Sequence, residues 1–241
     1  MVCLHGWGLH GGFWEAVLRR LGEGAQAPDL PGHAGAPLPT GGFGLSALTD
    51  WAAGLVEGPA LWLGWSLGGL IALSLAAARP ERVAGLVLVG ATPCFLARPC
   101  WRAGLAPEVL AGFARDLEAD YRGTLARFLA LQVGRDAPGR SLLRRMRQVL
   151  EARPQPAPAV LRDGLALLEA TDLRPRLAGI RCPAVVVHGT RDRLVPVAAG
   201  RYLALRLGAA WRPVPGAGHA PLLSHPEVVA RAAAELGAER A

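Results

Sequence analysis

Ser66 is the residue of this sequence with the clearest potential for covalent chemistry. It lies in Gly64-Trp65-Ser66-Leu67-Gly68, between an apolar run and a stretch rich in alanine and leucine. The G-x-S-x-G spacing is typical of a sharp strand–turn–helix junction that exposes a nucleophilic serine. We therefore predict that Ser66 is a nucleophile. The alternative, in which the glycines serve close packing and the serine is incidental, stays open.

A serine hydroxyl needs a base within hydrogen-bond reach, and His219 is the best candidate. It stands in "PVPGAGHAPLLSHPE", after the last predicted strand, with glycines that let a loop turn back towards the sheet. His225 is the rival, but it precedes Pro226 at an apparent helix start, which favours a capping or surface role. Structural roles are expected for the other histidines near strand ends, His10, His33 and His188.

Asp192 is predicted to orient the histidine and to stabilise its charged form. It follows a strong apolar run in "VVVHGTRDRLVP". A loop aspartate is often only a turn former, which is the alternative here. The order Ser66, Asp192, His219 along the chain is that of α/β-hydrolases and differs from other serine hydrolase folds.

Ester hydrolysis through a tetrahedral intermediate also needs donors for a developing oxyanion. The N–H of Leu67, directly after the nucleophile, is one predicted donor. The loop "LHGWGLHGGFW" after the first strand should supply the other, and we predict the N–H of Trp7.

Short apolar runs that alternate with helical patterns predict an α/β domain with a mostly parallel sheet, covered by helices on both faces. Between Pro93 and Pro183 the pattern contains only helices, which indicates a helical cap. We predict a core of residues 1–93 and 183–241 and a cap of residues 94–182. The predicted strands are Val2–Leu4, Leu61–Leu63, Val83–Val89 and Ala184–Val187, with weaker candidates at Ala25–Leu30 and Trp211–Val214. The predicted cap helices are Pro107–Asp120, Tyr121–Gln132, Ser141–Ala152 and Ala157–Glu169.

Five segments resemble the α/β-hydrolase superfamily from one end of the chain to the other: "LHGWG", "DLPGHAG", "GWSLGGL", "GTRDRLVP" and "GAGHAPLLSHPE". Within it, "PERVAGLVLVGATPCFLAR", "RFLALQ" and "VLRDGLALLEATDLR" are similar to the pimeloyl-[acyl-carrier protein] methyl ester esterases of biotin synthesis. The cap segments are the more specific, because caps vary between α/β-hydrolases while the core is shared.

The resemblance implies the activity, the partner and several site residues. It implies hydrolysis of the methyl ester of a pimeloyl chain on acyl-carrier protein, with Ser66, Asp192 and His219 as the triad and Trp7 and Leu67 at the oxyanion site. It also implies an acyl channel lined by Phe128, Leu129, Ala130, Leu131 and Gln132. Cap arginines would dock the carrier at Arg127, Arg140 and Arg144, whereas a fourth family position holds Gly123, next to Arg122. Two other functions remain open, a broad-specificity short-chain carboxylesterase and a non-catalytic binding protein on the same fold.

Composition and net charge limit the partners and the cellular compartment that we expect. The net charge of +7 comes from 26 arginines without any lysine, and it suits either a solvated surface or a face for an acidic partner. No apolar run is long enough to span a membrane, and the first residues lack a secretory pattern. We expect a cytoplasmic monomer with four reduced cysteines and no metal, cofactor, nucleic-acid or membrane partner. Met1 lies close to the first catalytic loop, so we expect the family's leading strand pair to be missing and a sheet edge to be exposed.

Overall fold

A parallel sheet of five strands runs through the part of the chain that the computed structural model describes, residues 1–134 and 136–238. The strands lie side by side in chain order, so each connection crosses over to the next strand. Their apolar sequences are continuous because both faces of the central strands are buried. The strands are β1 Val2–Leu4, β2 Ala60–Trp65, β3 Val83–Val89, β4 Ala184–Gly189 and β5 Ala210–Val214.

Helices cover both faces of the sheet, and alternate residues of one strand therefore belong to two different cores. In β3, Leu86 and Leu88 pack on one face, while Val87 and Val89 pack on the other. The first face is covered by α2, α3 and α8 and the second by α1 and α10. These helices are α1 Glu15–Leu21, α2 Leu45–Ala53, α3 Leu67–Ala78, α8 Val197–Leu207 and α10 Pro226–Ala238, with the short α9 at Pro221–Ser224. The predicted α/β class is confirmed.

Among the described residues, four α-helices lie between β3 and β4, close to the predicted bounds. Three of them carry proline at the first helical positions, where the missing N–H is not needed. They are α4 Pro107–Ala119, α5 Tyr121–Leu131, α6 Ala137–Glu151 and α7 Pro158–Ala170. We propose that residues 94–182 form the cap.

The predicted strand at Ala25–Leu30 is wrong, except that one residue, Gln26, pairs with β1. Gln26 alone bridges to β1: its carbonyl accepts from Cys3 N at 2.8 Å and its N–H donates to Met1 O at 3.0 Å. Pro28 and Pro31 lack the N–H that a longer ladder requires. The outer edge of β1 is thus paired at one described residue.

The turn between β2 and α3 depends on glycines that allow the backbone segments to touch. A Cβ atom at Gly64 would lie 2.5 Å from the Cα of Gly69. A Cβ atom at Gly68 would lie 2.2 Å from the carbonyl oxygen of Leu4. Both contacts are shorter than atoms can tolerate, so glycine is required at these two positions.

No helix in residues 1–134 and 136–238 is long and apolar enough to cross a membrane. The same residues contain no group of three His, Cys, Asp or Glu side chains arranged to hold a metal ion.

Replacing Gly68 by alanine should destabilise the protein, because the new methyl group must push α3 away from β1. We expect the free energy of unfolding in urea to fall by about 3 kcal/mol. Gly179→Ala is the matched control, since nothing lies within 4 Å of a Cβ there, and it should leave stability within about 1 kcal/mol. Equal stability of the two variants would contradict the tight packing of α3 on β1.

Candidate active site

Ser66 occupies a strained turn at the carboxyl end of β2. Its φ of +55° and ψ of −114° lie outside the regions that L-residues favour. Its N–H donates to the carbonyl of Val89, at the end of the neighbouring strand, at 3.0 Å. Ala34 is the other non-glycine residue with positive φ in the described chain. Strain of this kind persists only where the surroundings enforce it, and here it exposes a hydroxyl at the start of α3.

Asp192 and His219 meet at the same edge of the sheet, after β4 and β5. The Nδ1 of His219 donates to the Oδ2 of Asp192 at 2.7 Å, and the two side chains are 1% and 0% exposed. Burial alone would raise the pKa of Asp192, but the facing His219 and the donors of His188 and His219 outweigh it and hold that pKa well below its usual range. The carboxylate therefore stays ionised at neutral pH.

Main-chain hydrogen bonds hold His219 from both sides. Its N–H donates to the carbonyl of Gln132 at 2.9 Å, and its own carbonyl accepts from Trp65 Nε1 at 2.8 Å. A Cβ atom at Gly218 would lie 2.3 Å from the Gln132 oxygen, so glycine is required for this approach. These contacts, together with Asp192, determine the direction of the imidazole.

The bond between nucleophile and base is not formed in this structure. Because Nδ1 of His219 donates to Asp192, its Nε2 carries the lone pair that could accept a proton. This Nε2 is buried and has no hydrogen-bond partner. The Oγ of Ser66 likewise makes no hydrogen bond to any residue in the described part of the chain. Catalytic hydrogen bonds are often long or absent before substrate binds, so this geometry does not exclude the predicted pair.

The two predicted oxyanion donors have the required freedom. Leu67 is the first residue of α3, where the N–H has no intrahelical acceptor. On the other side, His5 Nδ1 donates to the carbonyl of Gly6 at 2.9 Å. The N–H of Trp7 belongs to the same trans peptide and points the opposite way. Neither N–H donates to a protein acceptor within the described ranges.

Two cavities border this site. The inner cavity contains Ser66 and is nearly filled, with about 10 Å³ of space between apolar side chains that include Trp7, Phe113 and Phe128. The outer cavity holds about 610 Å³ and lies among α4, α5 and α6, with Arg127 and Arg140 on its border. Phe113 lines both cavities, so its ring separates the serine from the larger space.

The residues from Phe128 to Gln132 do not face one cavity. Phe128 lines the inner cavity, whereas Ala130 and Leu131 line the outer one. Leu129 packs in the core on the opposite side of α5, with Met146 and Leu150. Gln132 is buried and contributes its carbonyl to His219. A helix presents successive residues in different directions. The consecutive residues of this motif therefore face different parts of the structure.

The structure also shows the positions of two other histidines, His225 and His188. His225 lies at the junction of α9 and α10, where its Nδ1 is 2.9 Å from Ser224 Oγ. His188, for which sequence analysis expected only a structural role, lies 3.3 Å from the Oδ2 of Asp192. The available signal was its position near the end of β4, four residues before Asp192.

Similarity to known proteins establishes the family. The model of the alpha/beta hydrolase family matches residues 1–232, and the chain belongs to that family. A curated relative from Xanthomonas oryzae, a pimeloyl-[acyl-carrier protein] methyl ester esterase, is 44% identical over 243 residues, which cover 96% of this chain and 92% of the relative. The protein of the same name from Yersinia pseudotuberculosis is 41% identical over 238 residues, covering 96% and 90%.

Solved structures share the fold. An esterase from Exiguobacterium antarcticum superposes with a TM-score of 0.87 at 21% identity, covering 97% of this chain and 90% of that one. A bromoperoxidase from Bacillus anthracis gives 0.88 at 20% identity, covering 98% and 91%. At such identities the likeness concerns the fold and leaves the chemistry open.

Three buried histidines surround the loop that carries Trp7. Burial lowers the pKa of His10, lowers that of His33 to about 4 and lowers that of His5 well below its ordinary value. His5 accepts from Leu30 N through Nε2 at 2.8 Å, and His10 bonds the carbonyl of Val149 through Nε2 at 2.7 Å. The folded protein keeps these rings neutral at a pH where an unfolded chain would protonate them.

Stability should therefore fall as the solution is acidified from about pH 6.5, the ordinary histidine pKa. Below that pH the unfolded chain binds protons that the folded chain cannot take up, and each such histidine contributes up to about 1.4 kcal/mol per pH unit. We expect the free energy of unfolding to drop by about 2 kcal/mol or more between pH 6.5 and pH 5. His33→Gln should reduce the slope, whereas Ser224→Ala, which removes no titratable group, should keep it. A stability that is constant over this range would contradict the burial of neutral imidazoles.

Proposed function

We propose that this chain is a serine carboxylesterase that hydrolyses the methyl ester of pimeloyl-[acyl-carrier protein] and releases the free pimeloyl carboxylate and methanol in biotin synthesis. The observation that carries this function is the identity of 41–44% with esterases of that name over 96% of the chain, the cap helices included. The contact between Asp192 and His219, beside a strained Ser66, supplies the chemistry that such hydrolysis needs.

The proposed mechanism uses an acyl-enzyme. The Ser66 oxygen attacks the ester carbonyl while its proton passes to His219 Nε2, and Asp192 stabilises the imidazolium. The N–H groups of Trp7 and Leu67 hold the oxyanion of the tetrahedral intermediate. The methoxide takes the proton from His219 and leaves as methanol. Water then attacks the acyl-serine, gives its proton to His219 and releases the carboxylate as Ser66 regains its hydrogen.

The arrangement of cavities suggests a route for the acyl chain. The ester group must reach Ser66 in the inner cavity, whereas the carrier protein is too large to leave the surface. The outer cavity can link a carrier at the surface to Ser66. It opens among the cap helices, and Phe113 separates it from the inner cavity. We infer that the acyl chain displaces the Phe113 ring, since about 10 Å³ of space holds no more than one water molecule.

The carrier would dock on the basic face of α6. Arg140 and Arg144 are spaced by one helical turn, and the side chains of both residues are exposed. Arg127, the third predicted docking residue, lies on α5, where it pairs with Asp116 at 3.1 Å and approaches Asp120 at 4.0 Å. Exposed arginines of this kind attract an acidic carrier and fix its orientation.

We also propose that the protein acts as a monomer in the cytoplasm. Two features support this proposal: no disulfide joins the described cysteines, as suits a reducing compartment, and a single chain carries all the proposed catalytic groups.

Ser66→Ala should abolish ester hydrolysis while leaving the fold intact. We expect kcat/KM for the carrier-linked methyl ester to fall by about 10⁴-fold or more, because no other group can form the acyl-enzyme. Ser224→Ala, which removes another serine hydroxyl, should keep wild-type activity. A fluorophosphonate should label the wild type and spare the Ser66 variant. Wild-type turnover in Ser66→Ala would overturn the proposed nucleophile, and an unlabelled, inactive wild type would favour a binding protein.

Charge reversal at Arg140 and Arg144 should distinguish a dedicated enzyme from a broad esterase. The double variant with glutamate should lose about tenfold in kcat/KM for the carrier-linked substrate, mainly through slower association. Its activity on a free short-chain methyl ester should not change. Arg231→Glu, an exposed arginine on α10, is the matched control. Equal wild-type kcat/KM values for the carrier-linked and free esters would support a broad-specificity esterase.

A further inference from the structure

His188 is a buried side chain that the mechanism above does not use. It lies on β4 next to its last residue, Gly189, and its side chain is 0% exposed. Its Nε2 is 2.9 Å from the carbonyl oxygen of Val195 and 3.3 Å from the Oδ2 of Asp192. A histidine thus contacts the carboxylate proposed to orient the catalytic base, on the side away from solvent.

The surroundings of His188 determine which nitrogen carries the proton. Both groups near Nε2 are acceptors, so the hydrogen must lie on Nε2. The other nitrogen, Nδ1, is buried without a hydrogen-bond partner. It rests against the backbone of Gly200 on α8, where a Cβ atom would come within 2.4 Å of it. The ring is thus held from α8 on one side and from the turn of Asp192 on the other.

His188 Nε2 is the fourth nitrogen around one carboxylate: its hydrogen bonds to the Val195 carbonyl at 2.9 Å, and Nε2 lies 3.3 Å from Oδ2 of Asp192. The Oδ1 of Asp192 accepts from the N–H groups of Leu194 and Val195, both at 2.9 Å. The Oδ2 faces His219 Nδ1 at 2.7 Å and His188 Nε2 at 3.3 Å. Since Val195 also accepts from His188 through its carbonyl, the ring holds both the carboxylate and the turn that carries it.

We propose that His188 is a positioning residue for ester hydrolysis, which keeps the Asp192 carboxylate at the angle from which it directs the His219 imidazole. This inference rests on the proposed function, because it concerns the same Asp192–His219 pair. His188 does not touch the substrate and acts through Asp192. Without its donor, rotation about the side-chain bonds of Asp192 carries Oδ2 away from His219 Nδ1.

Few other groups influence His188. The titratable groups that face it are Asp192 and, across that carboxylate, His219. From α8 it meets Gly200, and from β5 it meets the ring of Trp211, with the ring centroids 6.0 Å apart. A change at His188 should consequently be transmitted mainly through Asp192.

The first test compares two replacements of His188. His188→Leu fills the space without a donor, and we expect kcat to fall about 10- to 100-fold with KM unchanged, as for a small misplacement of a catalytic group. As the Asp192 carboxylate turns away from His219, the charged form of that imidazole loses its partner, so the acidic limb of the kcat/KM profile should move to lower pH. His188→Gln can return an N–H to the place of Nε2, and it should recover activity to within about threefold of wild type.

Two further variants separate positioning from general damage. Gly200→Ala leaves His188 in place but pushes its ring, and it should lower kcat and shift the acidic limb in the same direction as His188→Leu. Ser74→Ala removes another buried polar side chain, the acceptor of Thr49 Oγ1 at 2.8 Å, and it should reduce stability while leaving kcat and the acidic limb unchanged.

The outcomes are distinguishable from failure of the proposed function. If Ser66→Ala is inactive but His188→Leu keeps wild-type kcat and pH profile, the positioning role is refuted and the esterase stands. Equal losses in His188→Leu and His188→Gln, without a shift of the acidic limb, would also refute it. Activity in Ser66→Ala would overturn the catalytic assignment and this inference with it.

Discussion

The site depends on the burial of one carboxylate, that of Asp192. A charge removed from water is tolerated only when surrounding donors replace its hydration. The donors here come from its own turn, from β4 and from the loop after β5, so they fit together only when the sheet has formed. The same bonds that stabilise the carboxylate give His219 its direction. Folding of the sheet therefore also orients the proposed base, His219.

The second constraint is the close contact between the proposed cap and the loop after β1. Trp7 Nε1 donates to Leu161 O at 2.9 Å, and His10 Nε2 bonds Val149 O at 2.7 Å. Arg153 adds an ion pair to Asp29 at 2.7 Å, and Asp29 in turn accepts from Gly11 N at 2.7 Å. The peptide that presents the Trp7 N–H is thus anchored to the helices that enclose the proposed acyl route. Movement of those helices would therefore displace the proposed oxyanion site.

Much of this architecture was predictable because both faces of a parallel sheet are buried. That burial leaves uninterrupted apolar runs in the sequence, and these runs identify four of the five strands. The turn at Ser66 is equally readable, since only glycine at positions 64 and 68 permits the contacts with Gly69 and Leu4. The segment at Ala25–Leu30 misled the prediction because its apolar residues suit a strand while its prolines prevent one.

The sequence by itself determined the fold class, the helical segment between β3 and β4 and the candidates Ser66, Asp192 and His219, because local patterns and motif spacing carry that information. Tertiary structure alone decided that His188 contacts Asp192, that the carbonyl of Gln132 holds His219, and that Phe113 stands between two cavities. These relations join residues from different elements. They arise from the crossing of strands, loops and helices in space, and no spacing along the chain encodes them.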